Sequence, residues 1–193
     1  MRTTWWTISG AAIFALATGC SAPAPTDNKP TQAQPVVTQA ELCDALSKFF
    51  TTELHAPEGK TVPLFPADLS GEAARGGSGM CEIEQGQNIV VSYSARHAPS
   101  DPDPTDGRHG YEKKSELGDA VWIYDLRSDP RNPSSIVRFA TRINNWNATL
   151  EIRENEVSTQ SGTLRLTTDD QRRSVRFLTE MTTKLAVDRQ PIR

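Results

Sequence analysis

The chain has 193 residues, and its 21 lysines and arginines face 24 aspartates and glutamates, which gives a formal charge of −3 at neutral pH. This mildly acidic balance argues against a nucleic-acid-binding protein, because such proteins are normally basic. The length is enough for one domain with a substantial core but leaves little room for a second.

The first twenty residues are typical of a bacterial export signal that ends in a lipid-modified cysteine. Arg2 supplies an early positive charge, and residues 5–17 are mostly apolar but fall short of the roughly 20 residues that a spanning helix needs. The run Leu16-Ala17-Thr18-Gly19-Cys20 resembles a lipobox, with its leucine one position further from the cysteine than usual. We expect cleavage before Cys20, acylation of its thiol and stable anchoring. An ordinary secretory signal or an uncleaved apolar anchor is the alternative.

The sequence predicts three segments. These are a lipoprotein signal peptide over residues 1–19, a lipidated cysteine with a proline-rich tether over 20–37, and a single globular domain over 38–193. The tether contains four prolines among small and polar residues, and it has too few apolar side chains to bury a core. In the extended polyproline form, at about 3.1 Å per residue, it would hold the domain roughly 50 Å from the membrane.

The three cysteines separate into one expected lipidation site and one possible disulfide pair. If Cys20 carries lipid, Cys43 and Cys81 remain as an even pair in an oxidising compartment. We predict that they form a disulfide, which would stabilise the fold by roughly 3 to 4 kcal/mol by closing the loop between them. Two free buried thiols are one alternative. A metal site is another, although neither cysteine has a second cysteine or a histidine within a few residues.

Two segments predict amphipathic helices at the ends of the domain. The first begins at the capping box of Thr38 and Glu41, and its apolar stripe includes Cys43. The second covers about 168–187, with Thr168 and Gln171 as its capping box.

Alternating apolar residues between the helices predict two hairpins and one separate strand. The first hairpin begins at Cys81, turns at 85–88 and returns through Ile89, Val91 and Tyr93, whereas the separate strand covers 120–126. The second hairpin covers 135–153 and turns at Asn144-Asn145, because asparagine tolerates the left-handed conformation of a tight turn. Its core-facing residues are Val137, Phe139, Ile143, Trp146, Leu150 and Ile152.

The order helix, hairpin, strand, hairpin, helix has no β-α-β alternation. It predicts an α+β fold, with a mainly antiparallel sheet of about five strands and two helices packed on one face. The remaining stretches, 57–79 and 95–116, are rich in proline, glycine and charge and predict irregular connections.

Short motifs across the domain resemble those of a known group. The first helix contains Glu-Leu-Cys-Asp-Ala-Leu, the second cysteine opens a strand in Met-Cys-Glu-Ile, and Leu-Gly-Asp-Ala-Val-Trp precedes the separate strand. With the lipobox and the tether, this pattern resembles small actinobacterial cell-envelope lipoproteins, a group catalogued mostly as domains of unknown function. The resemblance implies a PsbP-like α/β sandwich outside the cytoplasmic membrane, and it supplies no catalytic residues and no established enzymatic role.

A search for catalytic motifs finds no Gly-x-Ser-x-Gly, Ser-x-x-Lys or His-Glu-x-x-His. We therefore predict a non-enzymatic binding or accessory module without a cofactor, anchored by lipid on the extracytoplasmic face of the membrane. Its expected partner is an envelope protein, glycan or lipid. One alternative is an envelope hydrolase or transferase that uses distant residues such as His97 and Asp119. The other is a lipid carrier with a deep apolar cavity between sheet and helices.

One acidic loop has the spacing of a calcium site. Asp101, Asp103, Thr105 and Glu112 occupy places one, three, five and twelve of a calcium-binding loop, and their hard oxygen atoms suit Ca²⁺. Place six, normally glycine, is Asp106. The alternative is an acidic connection that binds no metal.

Three aromatic residues on predicted strands are candidates for ligand binding. Trp122, Tyr124 and Trp146 could line a pocket for an apolar or glycan ligand. The alternative is that they belong to the core, as strand aromatics often do.

Overall fold

A computed structural model of the chain describes residues 37–64, 78–128, 135–159 and 162–187. The expected signal peptide, the lipidation site Cys20, nearly all of the tether and most of the glycine-rich stretch 71–79 lie outside these residues. Within the four ranges, no helix combines the length and apolar character needed to cross a bilayer.

The described residues form two long helices and nine strands, together with short 3₁₀ turns. One helix precedes the strands along the chain and the other follows them, as predicted. They are α1 (Gln39–Lys48), β1 (Lys60–Pro63), β2 (Ser78–Gln85), β3 (Asn88–His97), β4 (Glu112–Lys113), β5 (Val121–Asp125), β6 (Ile136–Ile143), β7 (Trp146–Arg153), β8 (Ser158–Thr159), β9 (Gly162–Thr163) and α2 (Thr168–Val187).

The start of α1 confirms the predicted capping box. The Glu41 amide donates to the Thr38 hydroxyl at 3.2 Å, and the Thr38 amide donates to the Glu41 carboxylate at 2.8 Å. Hydrogen bonds from Thr38 lower the pKa of Glu41, because they favour the ionised carboxylate. After Lys48 the helix continues as a π-helical turn, Phe49–Glu53.

The start of α2 differs from the prediction by one residue. Thr167 and Asp170 make the reciprocal bonds, at 2.9 Å from the Thr167 amide to the carboxylate and 3.2 Å from the Asp170 amide to the hydroxyl. The predicted pair, Thr168 and Gln171, instead lies inside the helix. Both pairs have the required spacing, but a carboxylate is the stronger acceptor for a backbone amide at a helix start.

One antiparallel sheet contains seven of the described strands in the order β1-β2-β3-β7-β6-β5-β4. This confirms the α+β class and the antiparallel sheet, but corrects the expected number of about five strands. The two additional strands, β1 and β4, are edge strands of four and two residues. They arise from stretches that looked irregular, because so short a strand carries no clear alternation. The strands β8 and β9 form a separate hairpin.

The hairpin of β2 and β3 contains a bulge that interrupts the predicted alternation. Val91 pairs with Ile83 and Ile89 pairs with Glu84, so Val90 is the extra residue. Val90 and Val91 are both buried, whereas Ile89 is only partly buried. Ile89 therefore does not share the inward face of Val91, contrary to the prediction.

The hairpin of β6 and β7 has the predicted turn and register. Asn144 and Asn145 both have positive φ angles, 46° and 68°. The resulting register pairs the six predicted core-facing residues with one another: Val137 with Ile152, Phe139 with Leu150 and Ile143 with Trp146.

Both helices pack on the same face of the sheet. The predicted disulfide joins Cys43 of α1 to Cys81 of β2, with 5.4 Å between the Cα atoms. Cys81 lies opposite Tyr93 in the register of β2 and β3. The Tyr93 ring packs edge-on against Phe177 of α2 at 5.9 Å between centroids, and its hydroxyl lies 3.3 Å from the Thr182 hydroxyl. Partners opposite each other share a face, so α1 and α2 cover the same one.

The space between the helices and the sheet is filled by side chains. Phe50, Tyr93, Phe139 and Leu178 are all fully buried there and belong to one continuous core. Burial raises the pKa of the Tyr93 phenol far above its usual range, so the phenol stays protonated.

A buried carboxylate connects the end of β7 to the segment that leads into α2. Glu154 is fully buried, and it accepts hydrogen bonds from the Leu166 amide at 2.6 Å and from the Arg127 guanidinium at 3.2 Å. A nitrogen of Arg165 lies 3.5 Å from its other oxygen. Arg127 also donates to the Leu166 carbonyl at 2.9 Å. These bonds fix the direction in which the chain enters α2.

The disulfide predicts a large effect on stability. Replacing both cysteines, Cys43→Ser with Cys81→Ser, should lower the free energy of unfolding by roughly 4 kcal/mol, because the unfolded chain regains the freedom of the open loop. Urea unfolding of the two proteins measures the difference, and reduction of the wild-type protein should lower its midpoint by a similar amount. Identical urea midpoints for all three samples would contradict the prediction.

Candidate ligand-binding face

The sheet has a second face, opposite the helices. Side chains alternate along a strand, so the neighbours of each core residue point away from the helices. We call this side the polar face. It comprises the even-numbered residues of β2, β5 and β6 and the odd-numbered residues of β4 and β7. From β3 it includes only the even-numbered residues from 92 onward.

A network of charged side chains crosses the centre of the polar face. Arg138 and Glu151 lie opposite each other on β6 and β7 and are joined by a short ion pair. The other oxygen of Glu151 accepts from the Arg153 guanidinium at 2.9 Å. Glu151 thus pairs with two arginines at once and holds both in position.

Aromatic side chains occupy the β4–β5 end of the polar face. The rings of Tyr111 and Tyr124 stack with 5.4 Å between centroids. The Arg138 guanidinium lies 6.0 Å from the Tyr124 ring, and the Lys113 ammonium lies 5.7 Å from the Trp122 ring. Both tyrosines and the tryptophan are partly exposed. A set of packed rings with flanking cations therefore faces solvent here.

The position of the Tyr124 ring depends on a glycine. Gly110 has a φ angle of +93°, and a Cβ atom at this position would lie 2.6 Å from the ring. Only glycine combines this backbone conformation with such close approach. On the other side of the cluster, burial raises the pKa of the Tyr111 phenol.

A small cavity opens on the polar face over β2, β3 and β7. Its volume is about 230 Å³, and its lining includes Met80, Ser94, Asn147, Thr149 and Pro104. The hydroxyls of Ser94 and Thr149, which face each other across the strands, lie 2.8 Å apart. The floor of the cavity is thus a pair of hydroxyl groups between two apolar side chains.

The loop 98–107 forms one wall of this cavity and is held to the sheet by hydrogen bonds. Arg96 pairs with Asp101 at 2.6 Å and with Asp106 at 2.5 Å. The Asn147 amide donates to the carbonyls of Asp101 and Asp103 at 3.1 and 3.0 Å. Because Asn147 is buried and sits on β7, these bonds fix the wall relative to the floor.

Glu82 is a carboxylate on the polar face that is nearly buried, with 8 % of its surface exposed. Burial raises its pKa, and the neighbouring Glu84 carboxylate raises it further, whereas Arg153 opposes the shift. Glu82, Ser92 and Glu151 lie in one row across β2, β3 and β7.

The three aromatic candidates from the sequence are on opposite faces. Trp122 and Tyr124 lie on the polar face, as neighbours of the core residues Val121 and Ile123. Trp146 lies on the helix-covered face, is 2 % exposed and has its ring 5.6 Å from that of His97. The structure therefore keeps two of the three together and assigns Trp146 to the core.

The four candidate calcium ligands do not converge. Asp101, Asp103 and Thr105 lie in one turn, but Glu112 lies on β4, where it pairs with Lys114 at 2.6 Å. Throughout the part of the chain that the structure describes, no group of three or more acidic, histidine or cysteine side chains is placed to hold a metal.

The acidic turn instead uses its carboxylates to organise itself. One oxygen of Asp103 accepts from the Thr105 amide and hydroxyl at 2.8 and 2.6 Å, and the other accepts from the Gly107 amide at 3.0 Å. These bonds, led by that from the Thr105 side chain, lower the pKa of Asp103. The loop is thus ordered by hydrogen bonds within its own turn.

His97 and Asp119, the two residues considered for catalysis, lie far apart on the sheet. His97 is the last residue of β3, and Asp119 lies in the turn before β5. The strands β7 and β6 separate β3 from β5, which places the two backbones roughly 14 Å apart at about 4.8 Å per strand.

Two further depressions lie elsewhere on the surface. One, of about 400 Å³, lies between the β4–β5 edge and the start of α2, and its lining includes Glu112, Asp125 and Arg172. The other, of about 250 Å³, lies between the helices, where Arg176 and Glu53 form an ion pair at 3.0 Å. Both are lined by side chains of mixed charge.

No protein-family model matches the chain, and comparisons with curated proteins and with solved structures give no significant match. The interpretation of this face therefore depends on its own residues.

Sequence reasoning did not identify most of the polar face, although one signal was present. A two-residue turn at Asn144-Asn145 sets Arg138 opposite Glu151 and Ala140 opposite Thr149, so the hairpin register alone contains these pairs. The contact between Ser94 and Thr149 requires β3 to lie beside β7. No local pattern indicates that neighbour.

Because the pKa of Glu82 is raised, replacing this residue by an uncharged one should increase the stability of the fold by an amount that depends on pH. When a carboxyl has a higher pKa in the folded than in the unfolded chain, the folded protein loses stability as the pH rises from the lower pKa through the higher one. Glu82→Gln should therefore raise the urea midpoint at pH 7 and leave it nearly unchanged at pH 4. The exposed Glu58→Gln variant is the control, and it should change neither midpoint. A lower midpoint for Glu82→Gln at pH 7 would contradict the prediction.

Proposed function

We propose that the chain is a lipoprotein on the extracytoplasmic face of the membrane, anchored through Cys20, and that its domain is a non-enzymatic binding module. The observation that carries the proposal is the pairing of Cys43 with Cys81. Stable disulfides belong to oxidising compartments outside the cytoplasm. The pairing leaves Cys20 as the one cysteine for lipid, in the sequence context expected of a lipobox.

The proposed anchor and tether suit a module that acts near the membrane. Two or more acyl chains on one cysteine give stable attachment. A tether over 20–37 in extended form would let the domain reach partners roughly 50 Å from the membrane surface. The partner in this proposal is a component of the cell envelope.

The polar face supports binding rather than catalysis. Several of its charged groups are used in mutual ion pairs, such as those of Glu151 with Arg138 and Arg153. A catalytic acid or base would need access to a substrate proton. The lipid-carrier alternative has less support, because Phe50, Tyr93 and Leu178 fill the space between sheet and helices.

Metabolic labelling tests the anchor. The full chain, expressed with its own leader in a bacterium that processes lipoproteins, should incorporate an alkyne-bearing fatty acid and sediment with membranes. In the Cys20→Ser variant the label should fall to background, because the acceptor thiol is gone. The control is the double variant Cys43→Ser with Cys81→Ser, which retains Cys20 and should stay labelled. Undiminished labelling of Cys20→Ser would contradict the proposal.

A further inference from the structure

The seven-stranded sheet ends at β4, and the outer side of this strand carries open backbone groups. In an antiparallel pair, residues alternate between those bonded to the adjacent strand and those whose N–H and C=O groups point away from it. The Lys114 amide donates to the Val121 carbonyl at 3.0 Å. Lys113, opposite Trp122, therefore directs its N–H and C=O groups outward, and Tyr111, two residues earlier, does the same. Among the described strands, none pairs with this outer side.

The side chains at this edge leave its backbone uncovered. Charged side chains, above all lysine, often protect an edge strand from pairing. Here the Lys113 ammonium lies 5.7 Å from the centre of an aromatic ring of β5, and the Tyr111 ring stacks on another at 5.4 Å. Glu112 pairs with Lys114 along the strand at 2.6 Å. These side chains are held towards the sheet or along β4, so the edge itself stays accessible.

The opposite edge of the sheet, β1, is closed to strand addition. The Leu64 amide donates to the Met80 carbonyl at 3.2 Å, so the outward positions of β1 are Thr61 and Pro63. Proline has no N–H group, and its ring obstructs a neighbouring strand on that side. Of the two edges of this sheet, β4 is therefore the open one.

A second copy of the chain fits the open edge, because the two outward residues complement each other. An antiparallel copy aligned with Glu112 opposite Glu112 places Tyr111 of each copy opposite Lys113 of the other. Each of these pairs exchanges both of its backbone hydrogen bonds. Every outward N–H and C=O group of Tyr111 and Lys113 is then satisfied in both copies.

The side chains of the edge are compatible with this alignment. Each Tyr111 ring meets the Lys113 ammonium of the other copy, which is a favourable cation–π pair. Like charges directly opposite each other destabilise a sheet, and the two Glu112 carboxylates would meet at the centre. Each carboxylate, however, is already paired with Lys114 of its own chain. The two strands therefore meet as neutral ion pairs.

We infer that two copies of the chain pair through β4, antiparallel and aligned at Glu112, and so join their sheets into one. The symmetry is two-fold, the commonest form among homodimers. So short an edge makes a small interface, of the class that forms weak and reversible complexes. The pairing uses only residues of the domain, and the proposed lipid anchor would strengthen it by raising the local concentration at the membrane.

A cysteine at the centre of the pairing tests the inference. In Glu112→Cys the two thiols would lie at a pair without backbone bonds, where Cα atoms are roughly 4.5 Å apart and a disulfide can form. The full chain is expressed with its own leader in a bacterium that processes lipoproteins, and its membranes are oxidised with diamide. We expect a band of twice the monomer mass on a non-reducing gel, which disappears when reductant is added.

Two other cysteine variants serve as controls. Lys60→Cys places a thiol on β1 and measures random collisions, because the side chains of Lys60 and Glu112 are similarly exposed, at 76 % and 72 %. Lys114→Cys tests the alignment, because the two thiols would be offset by roughly 13 Å along the strands, beyond the reach of a disulfide. Glu112→Cys should give at least about tenfold more dimer than either control.

A proline tests the role of the backbone. Lys113→Pro, added to Glu112→Cys, removes an outward donor that the fold does not use, and it should reduce the dimer to the level of Lys60→Cys. Thr61→Pro, the matched change at an outward position of β1, should leave the dimer of Glu112→Cys undiminished. Thermal unfolding verifies that each variant is folded.

Four results would overturn the inference. They are equal dimer from Glu112→Cys and Lys60→Cys, equal dimer from Glu112→Cys and Lys114→Cys, a dimer that survives Lys113→Pro, and a disulfide to a different protein in place of the dimer. The last would show that the edge binds an extended segment of another chain. None of them affects the anchor, whereas loss of the Cys20-dependent fatty-acid label from the same samples would refute the proposed function even if the dimer forms.

Discussion

The disulfide between Cys43 and Cys81 is the contact on which the arrangement of the whole domain depends. It fixes α1 on one face of the sheet, and the contacts of Tyr93 with α2 place the second helix on that same face. Most large apolar side chains of the central strands point to that face, where they form one continuous core. The opposite face is left to polar and aromatic residues, which can serve recognition without weakening the core.

The two faces of the sheet therefore have different tasks. The helix-covered face contributes stability through fully buried residues such as Phe139 and Leu150. On the polar face, Glu151 pairs with Arg138 and Arg153, and two aspartates of the loop 98–107 pair with Arg96. A face arranged in this way keeps its side chains in position before a ligand arrives, and so loses little conformational entropy on binding. That property suits the binding module that we propose.

The sequence allowed the locally encoded parts of this structure to be predicted, but not those that depend on distant contacts. The cap at Thr38, the turn at Asn144-Asn145 and the five longer strands follow from patterns within a few residues. The edge strands β1 and β4 are too short to show alternation, and the bulge at Val90 shifts the pattern of its strand. Trp122 and Trp146 look equivalent in sequence, and only the register separates the exposed ring from the buried one. The cavity requires β3 beside β7, which joins residues more than 50 positions apart.

The central claim is that an exported domain, closed by a disulfide, is attached to the membrane through Cys20. The most direct test is the intact mass of the protein extracted without reductant from the membranes of the bacterium that produces it. We predict a chain that begins at Cys20, carries two or three acyl groups on that residue and is two hydrogen atoms lighter than its fully reduced form. A chain that still begins at Met1, or one in which Cys43 and Cys81 are both free thiols, would contradict it.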